Sequence, residues 1–166
     1  VLRLVSRARA ARQELPPQRA GARPVHDAHH LLARAVAAEC AVLLKNDGDI
    51  LPLQPATGDV VAVVGEFART PRYQGAGSSH VNPTRVDIPL DELGAAMPVG
   101  AELAFAAGFG VGDTVHDEAL AAEAVALAGQ AVAVVVFLGL PPSDESEGFD
   151  RAHIDLPEIQ TALLPR

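Results

Sequence analysis

The sequence has little of several residue types that support specialised chemistry. Its 166 residues include one cysteine and no tryptophan, and aromatic residues make up only 4%. A lone thiol, Cys40, excludes an internal disulfide and any metal site built from several thiolates. No run approaches the 18 apolar residues of a membrane-spanning helix, and residues 1–5 have no signal-like apolar core. We therefore expect a chain that folds in water without a membrane span, whose compartment the sequence leaves open.

Positive charge is scarce outside the first 24 residues. The net charge is −8, yet residues 1–24 contain six arginines and one acid, Glu14. That segment carries +5, so the remaining residues carry −8 − 5 = −13. An acidic body argues against nucleic acid as a partner.

Apolar residues, by contrast, are plentiful at 49%, which is enough for one sizeable core. Residues 1–13 have leucine and alanine on one helical face among arginines, and they predict a short amphipathic helix. Residues 14–25 are rich in proline and predict a linker. Residues 26–166 then form the main domain. Because the chain starts without methionine, we expect it to be an internal piece of a longer protein.

The order of apolar segments predicts an α/β fold. Valine-rich runs alternate with helical patterns, which is typical of a mostly parallel sheet flanked by helices. The expected strands are 50–53, 60–65, 101–106 and 131–140, the last buried on both faces. One expected helix begins at Asp27, and two others cover residues 90–97 and 116–128. The helix over 116–128 should start with a capping box of Thr114 and Asp117. A further helix should begin near Pro157.

The sequence gives only weak support for a nucleotide site and for a metal site. Gly65 follows a buried strand, as in nucleotide-binding folds, but residues 65–69 lack the G-x-G-x-x-G spacing that brings backbone amides onto a pyrophosphate. His26, His29 and His30 invite a metal interpretation, since positions 26 and 30 share a helical face, but surface histidines at a helix start explain them more simply. We therefore expect no cofactor and no metal.

Two loops carry groups that suit chemistry. Residues 145–151, ESEGFDR, follow the apolar run 131–140, and ligands bind at the carboxyl ends of parallel strands. Residues 72–83 combine small residues with serine, histidine and asparagine, which suit sugar hydroxyls as well as phosphate. By position alone, either loop could equally be a solvated surface loop.

Three stretches taken together resemble one known family. They are residues 39–46 (ECAVLLKN) with 51–53 (LPL), residues 73–79 (YQGAGSS) and residues 145–151 (ESEGFDR). In this order they resemble the second domain of glycoside hydrolase family 3 over residues 26–165. Residues 1–13 are similar to the last helix of that family's preceding barrel domain.

The resemblance implies a three-layer, flavodoxin-like α/β sandwich that is cut short at its C-terminal end. It also implies a retaining, exo-acting glycosidase of the β-glucosidase kind, whose aspartate nucleophile lies on a barrel domain absent from this chain. The expected partners are a β-glucoside or oligosaccharide substrate and that barrel domain, and a homo-oligomer is left open. By itself the chain would be inactive, and its apolar sheet edge would associate with other segments. The alternative is a carbohydrate-binding or interaction module without catalysis.

The acidic stretch supplies the catalytic prediction. By resemblance to the family's E-G-aromatic-D-R pattern, Glu147 is the general acid/base, and Glu145 is the second candidate. Asp150 and Arg151 are expected to brace the loop by a salt bridge or by backbone hydrogen bonds.

The serine-containing stretch supplies the expected substrate contacts, which are Tyr73, Ser78 and Ser79. In the family this loop reaches across the cleft toward the sugar or the aglycone. Some members have an aromatic clamp near the position of Ser78. Serine there replaces a stacking surface by hydrogen bonding, which leaves the substrate open.

Overall fold

The computed structural model describes residues 1–14, 26–112 and 115–164, and the chain divides into two units. The first unit, Val1–Leu44, contains helices α1 (Leu2–Glu14) and α2 (His26–Glu39), as the apolar spacing predicts. The linker expected at 14–25 lies outside the described residues apart from Glu14, which ends α1. The division into barrel helix, linker and sandwich domain therefore stays a prediction.

The second unit, Lys45–Arg166, is built on a parallel sheet. Strand β1 (Val60–Val64) lies between β2 (Glu102–Ala106) and β3 (Ala133–Val136), and both neighbours run parallel to it. Helices alternate with the strands along the chain, so the predicted α/β architecture with a parallel sheet is confirmed. The elements are β1 (Val60–Val64), α3 (Pro89–Ala96), β2 (Glu102–Ala106), α4 (Glu118–Ala128), β3 (Ala133–Val136) and α5 (Glu158–Thr161).

Strand β1 forms the centre of the core because it is apolar along its length and has a strand on each side. Val61, Ala62, Val63 and Val64 are 0–4% exposed. Helix α4 packs on β1 and β2, and its buried Ala124 meets Val64 and Ala106. A valine run without alternation is what a strand covered on both faces requires.

Strand β3 is shorter and more exposed than the sequence predicts. The expected strand covered 131–140 and was buried on both faces, but β3 spans Ala133–Val136 and alternates between half-buried and exposed residues. The reason is its place at the edge of the described sheet, where only β1 pairs with it. Val134 and Val136 are 41% and 38% exposed.

The short strand expected at 50–53 does not form. The Asn46 side chain takes the place of a partner strand: its Oδ1 accepts from the Leu51 N–H and its Nδ2 donates to the Leu51 carbonyl, both at 3.0 Å. Since one side chain satisfies both backbone groups of Leu51, the segment needs no sheet partner.

Helix α4 begins two residues later than predicted, at Glu118. Asp117 is itself the N-cap, since its Oδ1 accepts from the backbone N–H groups of Ala119 and Leu120 at 2.9 and 3.2 Å. An aspartate cap satisfies the first free N–H groups of a helix without a capping-box partner. Thr114, the other half of the predicted capping box, lies outside the described residues.

A buried glutamine joins α5 to the segment that follows β3. Gln160 is 2% exposed; its Oε1 accepts from the Gly139 N–H at 2.9 Å and its Nε2 donates to the Gly139 carbonyl at 2.8 Å. A helix does begin near Pro157, as predicted, but Pro157 occupies the N-cap position of α5 and Glu158 is the first helical residue. The paired hydrogen bonds replace the strand partner that Gly139 lacks, and they fix where the chain leaves the sheet.

Replacing Gln160 by methionine should destabilise the second unit by about 2–6 kcal/mol. The apolar side chain keeps much of the volume but leaves both polar groups of Gly139 without a partner, at roughly 1–3 kcal/mol each. The urea midpoint of this chain measures the effect. The matched control is Gln130→Met, because Gln130 is exposed and its side chain donates to the Ala126 carbonyl at a helix end. Equal midpoints for the two variants would contradict the role of Gln160.

Among residues 1–14, 26–112 and 115–164, no helix combines the length and apolarity needed to cross a bilayer.

Candidate functional site

Two loops leave the carboxyl ends of neighbouring strands and meet at the same edge of the sheet. The serine loop, residues 72–80, follows β1, and the acidic loop, residues 140–151, follows β3. Because β1 and β3 are parallel neighbours, their carboxyl ends lie side by side. Open α/β sheets bind ligands at this edge, so the two predicted site stretches are brought together.

The acidic loop turns sharply at Glu147. The Phe149 N–H donates to the Ser146 carbonyl at 3.0 Å, and Gly148 has a φ of +75°. This is a four-residue turn with a glycine at its third position, where a positive φ is required. Glu147 occupies the second position, so its side chain leaves the tip of the turn and is exposed.

The serine loop is held in shape by its own side chains. The Gln74 amide closes it, since Nε2 donates to the Val81 carbonyl at 3.3 Å and Oε1 accepts from the Val81 N–H at 3.0 Å. Gln74 also donates to the Tyr73 hydroxyl at 3.2 Å. The Ser79 hydroxyl donates to the Ala76 carbonyl at 3.1 Å. Tyr73 and Ser79 are exposed, and each hydroxyl group already has a hydrogen-bond partner inside the loop.

Arg72 clamps the two loops together. Its Nη1 donates to the Leu140 carbonyl at 3.1 Å, and its Nη2 lies 3.2 Å from the Glu145 carbonyl and 3.4 Å from Glu145 Oε2. The Arg72 side chain is 20% exposed and the Glu145 side chain 51%. One cation thus binds the beginning and the middle of the acidic loop, and the carboxylate of Glu145 is used in that clamp.

Glu147 instead touches the tip of the serine loop. The Ser78 N–H donates to Glu147 Oε2 at 2.7 Å, the short distance typical of a hydrogen bond to a charged acceptor. Gly77, with a φ of +78°, permits this approach: a Cβ there would lie 2.5 Å from the Glu147 Cβ. The two candidate glutamates therefore have different partners, Arg72 for Glu145 and Ser78 for Glu147.

The contact with Ser78 stabilises the ionised form of the glutamate. Hydrogen bonds from the Ser78 hydroxyl, and secondarily from its N–H, hold the pKa of Glu147 below the usual value of a glutamate. Burial opposes this only weakly, because the carboxylate is exposed. The contact with Ser78 therefore favours the ionised form of Glu147 in this chain.

Asp150 and Arg151 lie beside a cleft of about 430 Å³. The cleft also includes Phe149, which is 57% exposed, and His153. In the part of the chain that the structure describes, neither Asp150 nor Arg151 makes an ion pair or a hydrogen bond, and Arg72 makes the tie across the loop. Their bracing role therefore stays a prediction.

A larger cleft, of about 480 Å³, lies near α5 and is lined by His116, Asp144 and Glu158. Neither Glu147 nor Ser78 contributes to this cleft or to the one beside Asp150. The volume of a cavity therefore does not locate the candidate site. The meeting of the two loops does.

Sequence reasoning missed Arg72 and Gln74, which hold the site. Arg72 is 73 residues from Glu145, and its only signal in the sequence is that it directly precedes the serine-rich stretch. Gln74 lies inside the family-like stretch but has no signal of its own there. The functions of both depend on backbone carbonyl groups, which a side-chain pattern does not reveal.

No group of three or more histidine, cysteine, aspartate or glutamate side chains that could hold a metal occurs among the described residues. Cys40 is a free, exposed cysteine of the first unit.

A family model matches this chain over residues 41–166, that of the glycosyl hydrolase family 3 C-terminal domain. The match includes both loops of the candidate site and all of the described sheet. It begins close to the boundary between the two units of the structure.

Individual relatives agree with the family match. Thermostable β-glucosidase B of Acetivibrio thermocellus is 46% identical over 83% of this chain, and the exo-α-(1→6)-L-arabinopyranosidase of Bifidobacterium longum is 49% identical over 83%. A crystal structure of a GH3 β-glucosidase from Bifidobacterium adolescentis superposes on 82% of the chain with a TM-score of 0.73 and 51% identity. The chain spans only 18% and 19% of the lengths of the two relatives and 19% of the crystallised chain.

Proposed function

Because this chain belongs to glycoside hydrolase family 3, through the C-terminal domain of that family, we propose that it supplies the general acid/base of a retaining, exo-acting β-glycosidase. Glu147 is the acid/base. The nucleophile is an aspartate of a barrel domain outside this chain, so the chain alone does not hydrolyse glycosides. The substrates are terminal β-D-glucosyl-type residues.

The observation that carries the proposal is the placement of Glu147. It leaves the tip of a tight turn at the carboxyl edge of a parallel sheet, with its carboxylate exposed and no cationic partner among the described residues. Glu145, by contrast, is tied to Arg72. A carboxyl group that must exchange a proton with a bound sugar has to be reachable and free to move the proton. Both glutamates are exposed, but only Glu145 is held by a cation among the described residues.

The chemistry requires a second carboxylate. Retaining hydrolysis needs two carboxyl groups about 5 Å apart, one ionised to attack the anomeric carbon and one protonated to release the leaving oxygen. An ionised neighbour and exclusion of water both raise the pKa of a carboxyl group. Glu147 has neither in this chain, where Ser78 lowers its pKa. A barrel domain that brings the nucleophile next to Glu147 would supply both.

The serine loop is proposed to bind the sugar or the aglycone through Tyr73, Ser78 and Ser79. All three side chains are exposed at the same edge as Glu147. Ser78 in place of an aromatic clamp offers hydrogen bonds rather than stacking, which favours short substrates over long glucans. Because the similar proteins include a β-glucosidase and an exo-α-(1→6)-L-arabinopyranosidase, both a β-D-glucoside and an α-L-arabinopyranoside are suitable test substrates.

The proposal is tested by comparing this chain with the longer polypeptide that contains it. We expect the longer protein to hydrolyse p-nitrophenyl β-D-glucopyranoside or p-nitrophenyl α-L-arabinopyranoside and this chain to hydrolyse neither. Early product analysed by NMR should keep the anomeric configuration of the substrate. Turnover by this chain alone, or inversion by the longer protein, would contradict the proposal.

One observation favours a second function, a carbohydrate-binding module without catalysis. The pKa of Glu147 is lowered, whereas a general acid needs a raised pKa. Under that alternative, calorimetry of the longer polypeptide would detect sugar binding while no glycoside is hydrolysed.

A further inference from the structure

We propose that Ser78 is a positioning residue that holds the Glu147 carboxylate in place between the two loops. The inference rests on the proposed role of Glu147 as acid/base. It gives Ser78 a task distinct from substrate binding, because its N–H faces the enzyme's own carboxylate.

The geometry that carries the inference is a close approach of two turns. Ser78 N and Glu147 Oε2 are 2.7 Å apart, and the positive φ of Gly77 brings the turn so close that a methyl group there would collide with the Glu147 side chain. Residues Gly77–Ser79 form a short 3₁₀ turn, closed by the hydrogen bond from the His80 N–H to the Gly77 carbonyl at 3.2 Å. The donor is therefore preorganised toward the carboxylate.

Other charged groups on the two loops do not account for the lowered pKa of Glu147. On the acidic loop, Glu145 is occupied by Arg72, and Asp150 and Arg151 face the 430 Å³ cleft. On the serine loop, the titratable side chains are those of Tyr73 and His80. None of these described groups forms an ion pair with Glu147, and hydrogen bonds from Ser78 are the main cause of its lowered pKa.

The two steps of a retaining mechanism use this contact in opposite ways. In the first step Glu147 must give a proton to the leaving oxygen, and in the second it must take a proton from water. Donors that stabilise the carboxylate favour the second step and oppose the first. Ser78 thus shifts the pH range in which Glu147 can both donate a proton in the first step and accept one in the second.

The test is the pH dependence of kcat/KM in the longer polypeptide, with an alkyl glycoside whose leaving group needs a proton. Ser78→Ala keeps the N–H and removes the hydroxyl, which is the larger cause of the lowered pKa of Glu147. Loss of the hydroxyl should raise the pKa of Glu147, so the basic limb should move to higher pH. With an activated aryl glycoside, for which the second step limits the rate, the acidic limb of kcat should move in the same direction. Ser78→Thr keeps the hydroxyl and should restore the wild-type limbs.

The matched control is Ser143→Ala. Ser143 is an exposed serine of the acidic loop whose hydroxyl donates to Asp144 at 3.0 Å, so the basic limb should stay where the wild-type protein has it. A limb that moves equally in both variants would show a general effect of the loop and would overturn the inference.

Glu147→Gln separates the inference from the proposed function. If this variant keeps the wild-type basic limb, Glu147 is not the acid and the proposed function fails. If it loses the limb while Ser78→Ala leaves the limb in place, the proposed function stands and the role of Ser78 is overturned.

Discussion

Glu147→Ala is expected to lower kcat/KM for glycosides with poor leaving groups by roughly 10²- to 10⁴-fold in the longer polypeptide, the usual contribution of general acid–base catalysis. The loss should be smaller for aryl glycosides whose leaving group departs without a proton. Azide, a small anion that can attack the glycosyl-enzyme without a base, should restore turnover of those activated substrates and yield a glycosyl azide. Steady-state kinetics with the two substrate classes measures the effect.

The matched comparison is Glu145→Ala. Glu145 is paired with Arg72 at 3.4 Å and is half exposed. Removing it loosens the clamp between the loops but leaves the acid in the protein, so we expect a smaller loss, equal for both leaving-group classes and not rescued by azide. Wild-type activity of Glu147→Ala together with an azide-rescued loss in Glu145→Ala would assign the acid/base to Glu145 instead.

Gly65→Ala is expected to destabilise the second unit by about 2–6 kcal/mol, which is a large part of the stability of an ordinary domain. Gly65 follows β1 directly and has a φ of +114°, a conformation that L side chains rarely adopt. A Cβ there would overlap the Phe137 carbonyl oxygen. Because the Phe137 N–H donates to the Val64 carbonyl at 2.8 Å, the backbone of β3 cannot retreat without losing its pairing.

Gly58→Ala is the matched control, because it introduces backbone strain without a steric clash. Gly58 has a φ of +90°, but nothing lies within 4 Å of the position that an alanine Cβ would take, so only the backbone strain of about 1–3 kcal/mol should be observed. Urea unfolding of this chain, followed by circular dichroism, compares the two variants. Equal losses of stability would show that the close approach of Phe137 contributes nothing.

Gly65 also shows where a sequence pattern can mislead. The glycine after the first strand is similar to that of a phosphate-binding turn, and the spacing of its neighbours argues against that function. The structure gives a different reason for it: β1 and the end of β3 approach so closely that no side chain fits between them. The requirement comes from packing and not from a ligand.

The order of the elements was predictable because it depends on local patterns. Valine-rich runs and helical spacing are properties of contiguous residues, and they correctly indicated β1, β2, α3 and α4. The length of β3 was not predictable in the same way. An apolar run of ten residues predicts a long buried strand. In the described sheet β3 pairs with β1 alone, and only four residues of the run form the strand.

The site was predictable in its residues and not in its contacts. The stretches at 73–79 and 145–151 could be read from the sequence, and the family resemblance that they carry is confirmed by the match over residues 41–166. The pairing of Arg72 with Glu145 and of Ser78 with Glu147 joins residues about 70 positions apart. The choice of Glu147 over Glu145 remains a prediction, which the paired alanine variants decide.

The sequence by itself therefore determined the α/β class, the family and the two loops, because each is encoded in residues close together along the chain. Only the tertiary structure decided how the loops meet. Parallel pairing of β1 and β3 brings their carboxyl ends together, and Gly77 allows the Ser78 N–H to reach the Glu147 carboxylate. The proton affinity of that carboxylate is set by donors placed around it in space, and no local pattern of residues specifies them.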